Sequence, residues 1–112
     1  MHKPLLRFAP AAFFICFAGL GLPRSLRAQT DGAKTFKANC TLCHGEDGSG
    51  SSPTGKALKA KDLGSEEVQK QSDAELTEII SKGRGKMPAF GTKFSPDVIK
   101  SLVAYIRQLP KK

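Results

Sequence analysis

The five residues from Cys40 to His44 constrain this chain more than any other feature of its sequence. They read C-T-L-C-H, which is the C-x-x-C-H spacing of a c-type haem attachment site. In such a site the two thiols add to the vinyl groups of a haem as thioethers, and the adjacent imidazole reaches the iron from one face. The sequence therefore predicts one haem c, attached through Cys40 and Cys43 and ligated by His44.

Few other residues could complete the coordination of that iron. Beyond residue 28 the chain contains one histidine, His44, and one methionine, Met87. Met87 lies in a segment rich in glycine and proline, and its thioether is the predicted second axial ligand. An iron ligated by His and Met, with no open position, transfers electrons and does little other chemistry. The alternatives are a lysine ligand, a bound water, a vacant position, or a Met87 that serves only the apolar core.

Two other uses of the cysteine pair fit the sequence less well than haem attachment. A thioredoxin-like dithiol is typical of a βαβ context, and the sequence shows no strand-like alternation. A structural zinc site needs four ligands, whereas the chain beyond residue 28 offers three Cys and His groups, all within residues 40–44. Haem attachment is the interpretation that the sequence favours.

The N-terminal stretch has the pattern of an export signal. A basic start precedes an apolar run over residues 9–22, which is shorter than the about 20 residues that a membrane-spanning helix needs. A small residue, Ala28, suits a cleavage site. Residues 1–28 are therefore predicted to be a signal peptide and residues 29–112 a single domain in the periplasm, without membrane insertion after cleavage. An uncleaved N-terminal anchor is the alternative.

Removal of that segment changes the charge of the protein. Four of its eighteen basic residues lie there, so fourteen basic and ten acidic residues leave a formal net charge of +4 in place of +8. Charges of both signs are interspersed without a dense basic block, so no nucleic-acid partner is predicted. Four basic residues flank Met87 and form either a positive ring for acidic partners or an ordinary basic surface: Lys82, Arg84, Lys86 and Lys93.

Helical periodicity predicts an all-α fold with three main helices. The first runs from Asp31 to about the C-x-x-C-H motif. The second begins after Ser72, whose pairing with Glu75 is a capping-box signature, and ends at Gly83. The third occupies residues 95–110 and carries an apolar stripe at helical spacing. Loops rich in glycine, serine and proline are predicted between them, at residues 45–55 and 84–94.

Taken in order, these features resemble a small bacterial class I cytochrome c over nearly all of the predicted domain. The resemblance is carried by Gly32 and Phe36 ahead of the attachment site, by residues 85–90 around the methionine, and by residues 102–106 of the last helix. It implies the cytochrome c fold, with three main helices and haem-wrapping loops. In that fold the first and last helices cross at the small Gly32, with Phe36 and Tyr105 packed beside the crossing.

The same resemblance implies further site residues. The family places a proline after the ligand histidine, and its carbonyl accepts a hydrogen bond from the second imidazole nitrogen. Pro53 is the candidate for this role, and an ordinary loop proline is the alternative. Phe90 is assigned to the wall of the haem pocket. The chain lacks the Trp that mitochondrial members place near the haem propionates, so the partner of the propionates is left open.

The predicted function is that of an exported, monomeric carrier of single electrons, and not an enzyme. Its predicted partners are redox proteins, in particular membrane oxidase or dehydrogenase complexes with acidic docking surfaces. Two alternatives stay open. An open-site haem protein, peroxidase-like or gas-sensing, requires that Met87 does not bind iron. A fixed haem subunit of a larger oxidoreductase requires a sizeable apolar docking face.

Overall fold

The computed structural model describes residues 19–112, and this part of the chain is built from helices and loops. Six helices follow one another along it: α1 (Arg24–Asn39), α2 (Thr41–His44), α3 (Pro53–Leu58), α4 (Glu66–Gln69), α5 (Asp73–Lys82) and α6 (Pro96–Ile106). The prediction of an all-α fold with three main helices is confirmed, because α1, α5 and α6 are the long elements. Residues 1–18 of the predicted signal peptide lie outside the described residues.

The helix ends follow local signals in the sequence. The Ser72 N–H donates to Glu75 Oε2 at 2.6 Å and the Glu75 N–H donates to Ser72 Oγ at 3.1 Å, which completes the predicted capping box of α5. Gly83 ends that helix at a φ of +76°, in the left-handed region that glycine accepts without strain. Ser95 caps α6, where its Oγ accepts from the Val98 N–H.

Three helices differ from the predictions, two in a boundary and one by lying partly in a predicted loop. α1 begins at Arg24 and not at Asp31, because the residues between them include leucine, arginine and alanine, which have high helix propensity. α3 lies partly in a stretch predicted as loop, because Ser52 and Pro53 act as its cap and first residue. α6 ends at Ile106, before the end of its apolar stripe.

The first and last long helices cross at Gly32. A Cβ at this position would overlap the backbone carbonyl oxygen of Ser101 on α6, so only glycine permits this approach. Beside the crossing the rings of Phe36 and Tyr105 pack with centroids 5.1 Å apart and planes tilted by 52°. The crossing implied by the resemblance is therefore confirmed.

One apolar core joins the three long helices to the segment that precedes α5. Its buried members are Phe36, Leu63, Val68, Leu76, Ile80, Ile99, Leu102, Val103, Ile106 and Leu109. Five partly buried residues pack against this core: Cys40, Met87, Phe90, Phe94 and Tyr105. Both ends of the predicted haem site are thus anchored on the same core. Within residues 19–112, no helix combines the length and apolar character needed to cross a bilayer.

Candidate cofactor site

A cavity of about 510 Å³ is lined both by the C-x-x-C-H segment and by Met87. Its volume lies within the range of about 300–1,000 Å³ that is typical of cofactor pockets. The fold therefore brings Cys40, Cys43, His44 and Met87 to one cavity. The other lining side chains are mainly apolar and include the predicted wall residue: Phe36, Leu58, Leu63, Val68, Leu76, Ile79, Ile80, Phe90, Leu102 and Ile106.

Cys40 and Cys43 are free thiols, and the environment of Cys40 disfavours dithiol redox chemistry. Burial, with a smaller contribution from the neighbouring Cys43, raises the pKa of Cys40 to about 11, although the charge of Lys93 opposes the shift. A redox-active dithiol needs a thiol that ionises near neutral pH. Across residues 19–112, no group of three or more Cys, His, Asp and Glu side chains could hold a metal ion on its own. The thiols fit thioether attachment of haem better than either alternative.

The ring of His44 is held by a backbone carbonyl. Its Nδ1 lies 3.0 Å from the carbonyl oxygen of Lys61. Because a carbonyl can only accept, Nδ1 carries the proton and Nε2 keeps its lone pair. Burial lowers the pKa of His44 and outweighs the opposing effect of that hydrogen bond, which favours the neutral ring. This is the protonation state that an iron ligand needs.

The carbonyl of Pro53 was the predicted acceptor for that nitrogen, but in this structure the carbonyl of Lys61 lies there instead. Pro53 is the first residue of α3. Its carbonyl is therefore aligned with the helix axis, toward the N–H one turn ahead. The carbonyl of Lys61, in the segment after α3, takes the predicted role. Pro53 contributes by starting the helix, where its fixed φ is favourable.

Ser52 is a residue that the sequence interpretation missed. Its Oγ lies 2.7 Å from the carbonyl oxygen of Leu42 and 3.0 Å from that of Cys43, and it accepts from the Gly55 N–H at 2.9 Å. A Cβ at Gly55 would overlap the Cys43 carbonyl oxygen, so α3 packs directly on the attachment turn. The sequence did carry a signal for this helix start, because a serine at the cap position followed by a proline at the first helical position is typical of a helix N-terminus.

Backbone hydrogen bonds fix the Met87 loop, which we define as residues 83–91. The Arg84 N–H donates to the Met87 carbonyl at 3.1 Å, and the Met87 N–H donates back to the Arg84 carbonyl at 2.9 Å. Further along, the Phe90 N–H donates to the Ile80 carbonyl in the last turn of α5 at 2.9 Å. The backbone that carries the thioether is therefore held in place independently of its side chain.

The basic residues near the loop do not act as one ring. Arg84 and Lys86 line the cavity, together with Lys59 and Lys61, which the sequence interpretation had not singled out. Lys82 instead forms an exposed ion pair with a glutamate one turn earlier on α5, at 2.9 Å. Glu67 also lines the cavity and forms an ion pair with Lys61 at 2.9 Å. Four cations and one carboxylate thus line the cavity, which leaves a net positive charge.

Lys93 connects the two halves of the site. Its Nζ donates to Asn39 Oδ1 at 2.7 Å, at the end of α1. The same ammonium lies 5.9 Å from the ring centroid of Phe90 and 5.4 Å from that of Phe94, and these two rings are stacked 5.5 Å apart. Lys93 therefore joins the segment after the Met87 loop to the helix that precedes Cys40.

Known proteins are similar to this chain in sequence and in fold. Residues 27–106 match the family described as cytochrome c oxidase, cbb3-type, subunit III. The chain is 34% identical to cytochrome c6 of Picosynechococcus sp. over 109 residues, which is 93% of this chain and 92% of that protein. It is 36% identical over 88 residues to the cbb3-type cytochrome c oxidase subunit FixP of Azorhizobium caulinodans, covering 78% of this chain but 29% of FixP. The solved KustC0563 c-type cytochrome is 35% identical, with a TM-score of 0.67, and covers 72% of this chain and 99% of its own.

Proposed function

Because the chain belongs to the cytochrome c family, we propose that it carries single electrons between redox partners through one haem c, ligated by His44 and Met87. The observation that supports the proposal most directly is the cavity that the C-x-x-C-H segment and Met87 line together. When bound, the haem iron alternates between the ferrous and ferric states and so exchanges one electron. Covalently attached haem c is the cofactor of this family, and the lining residues fit it.

The protein contributes attachment, ligation and exclusion of water. Cys40 and Cys43 hold the haem through thioethers, and the Lys61 carbonyl orients the His44 ring with Nε2 free to bind iron. The Met87 thioether stabilises ferrous iron relative to a second imidazole and so raises the reduction potential. The apolar walls around these groups keep water from the ferric charge and raise the potential further.

An absorption spectrum tests this proposal. The protein, produced with haem-maturation machinery, is measured oxidised and reduced, with and without carbon monoxide. A low-spin c-type spectrum, a weak sulfur-to-iron band in the oxidised state and no response to carbon monoxide are expected. A high-spin spectrum that shifts with carbon monoxide would instead support the open-site alternative, in which Met87 is not a ligand.

Replacement of Cys43 by alanine is expected to reduce the amount of haem that survives a denaturing gel, since one of two thioethers is lost. The double replacement of Cys40 and Cys43 by alanine should abolish haem retention on the gel. Haem staining of equal protein amounts measures the effect. Leu42→Ala is the matched control, because the Leu42 side chain in the same turn is 72% exposed. Unchanged staining in the double variant would contradict covalent attachment.

Export of the protein is a further part of the proposal. Cleavage after Ala28 predicts a haem-loaded form that lacks residues 1–28 and begins at Gln29. Intact-mass spectrometry of the periplasmic and membrane fractions measures this. Recovery of the haem-loaded chain in the membrane fraction, with its first 28 residues retained, would contradict cleavage and favour the N-terminal anchor.

The similarity to FixP favours one second candidate, a fixed haem subunit of a larger oxidoreductase. The chain spans 29% of FixP and 92% of the cytochrome c6 relative. Purification from the native source separates the two. A carrier is expected to elute at the mass of a monomer after a high-salt wash, whereas a fixed subunit copurifies with its oxidoreductase through the same wash.

Acidic surfaces are the proposed docking sites on its partners, and Arg84 and Lys86 at the cavity are the proposed contacts. Replacing both by glutamine is expected to slow bimolecular electron transfer to an acidic partner roughly two- to tenfold at low salt, with a smaller effect at 0.15 M salt because charges are screened. Stopped-flow rates measure this. Lys82→Gln is the control, because Lys82 is already paired. Equal rates at every salt concentration would contradict the charge-guided contact.

A further inference from the structure

Arg107 forms hydrogen bonds to the segment of residues 63–73 from the side that faces away from the cavity. The guanidinium, directly after α6, donates from Nη1 to the Gln69 carbonyl at 2.9 Å and from Nη2 to the Gln71 carbonyl at 2.5 Å. Its Nε also donates to Asp73 Oδ1 at 3.0 Å. The side chain is 24% exposed, so water competes weakly for these donors.

Gln69 makes the reciprocal connection. Its side-chain Nε2 donates to the Leu63 carbonyl at 2.7 Å and to the Ile106 carbonyl in the last turn of α6 at 3.2 Å. Arg107 thus reaches from the end of α6 to the segment, and Gln69 reaches from the segment back to α6. We call Arg107, Gln69 and Asp73 the polar latch.

The inner side of the latched segment is a wall of the cofactor cavity. Leu63, Val68 and Gln71 from this segment all line the cavity. The helix within it, α4, is a single turn, and a helix of that length is not stable by its own hydrogen bonds. Contacts with the rest of the protein must therefore hold this wall in position, and the polar latch supplies charged hydrogen bonds for that purpose.

We propose that Arg107 is a positioning residue, which keeps residues 63–73 closed over the cofactor cavity and thereby raises the reduction potential of the haem. The physical link is solvent exposure. An open wall admits water, which stabilises the ferric iron because that state carries one more positive charge, and the potential falls. The effect on the potential depends on the proposed haem function, whereas the closure of the wall does not.

Two variants separate this role from a simple effect of charge. Arg107→Lys keeps the positive charge, but an ammonium cannot donate in the planar fork that reaches two carbonyls and a carboxylate. Gln69→Met removes the reciprocal hydrogen bonds with no change in charge. Gln108→Met is the matched control, because it makes the same substitution at an exposed neighbouring position.

The experiment measures the holoprotein of each variant in two ways. Hydrogen exchange of the amides in residues 63–73 should be about tenfold faster or more in Arg107→Lys and Gln69→Met, as the loss of charged hydrogen bonds implies. The reduction potential should fall in both and stay unchanged in Gln108→Met. Wild-type exchange and wild-type potential in both variants would overturn the proposal. Faster exchange at an unchanged potential would overturn its redox part, and a wild-type protein without a haem spectrum would count against the proposed function alone.

Discussion

Met87→Ala is expected to turn a closed low-spin haem into one that binds carbon monoxide, with a large fall in the reduction potential. Alanine cannot reach the iron, so water or an added ligand would take the position of the thioether. Axial ligands tune haem potentials over about 0.8 V, and loss of a ligand that favours ferrous iron lowers the value. Optical titration with carbon monoxide and redox titration measure the two effects.

The structure provides a control for disturbance of the Met87 loop itself. The hydrogen bonds between Arg84 and Met87 are formed by backbone groups, so the substitution leaves them in place. Lys86→Ala removes an exposed side chain from the same turn and should retain the closed spectrum. If Met87→Ala also kept its sulfur-to-iron band and its potential, Met87 would be a core residue and another group would be the ligand.

Features that depend on nearby residues could be predicted from the sequence. The capping box between Ser72 and Glu75 and the stop at Gly83 are formed by residues a few positions apart, and both are present in the structure. The spacing of Cys40, Cys43 and His44 likewise specifies one turn of chain that places all three at a cavity. In each case the decisive interaction is local, so the sequence pattern is sufficient.

Features that depend on distant residues could not be predicted in this way. The acceptor for His44 proved to be the Lys61 carbonyl and not that of Pro53, because the path of the chain after α3 decides which carbonyl reaches the ring. The hydrogen bonds of Arg107 to Asp73 and of Lys93 to Asn39 join positions more than thirty residues apart. A basic side chain in the sequence carries no sign of whether it will face solvent, a carbonyl or an aromatic ring.

Gly32 shows a long-range contact that the sequence did indicate, through resemblance to a family and not through spacing. Replacing it by alanine is expected to destabilise the haem-loaded protein by about 3 kcal/mol, which for a domain of this size lowers Tm by about 12–24 °C. The new Cβ would overlap the Ser101 carbonyl, and a backbone carbonyl cannot rotate away as a side chain can. α1 and α6 must separate, and the packing of Phe36 on Tyr105 would loosen with them.

The sign of this effect makes the experiment decisive. Without the crossing, alanine would stabilise a helix relative to glycine by about 1 kcal/mol. Ala38→Gly, at an exposed position of the same helix, is the matched control and should cost about that amount through propensity alone. Thermal unfolding followed by circular dichroism measures both variants. A more stable Gly32→Ala protein would show that α1 and α6 are further apart than the structure has them. A loss well above that of Ala38→Gly would show that close approach of the two backbones holds the core beneath the haem together.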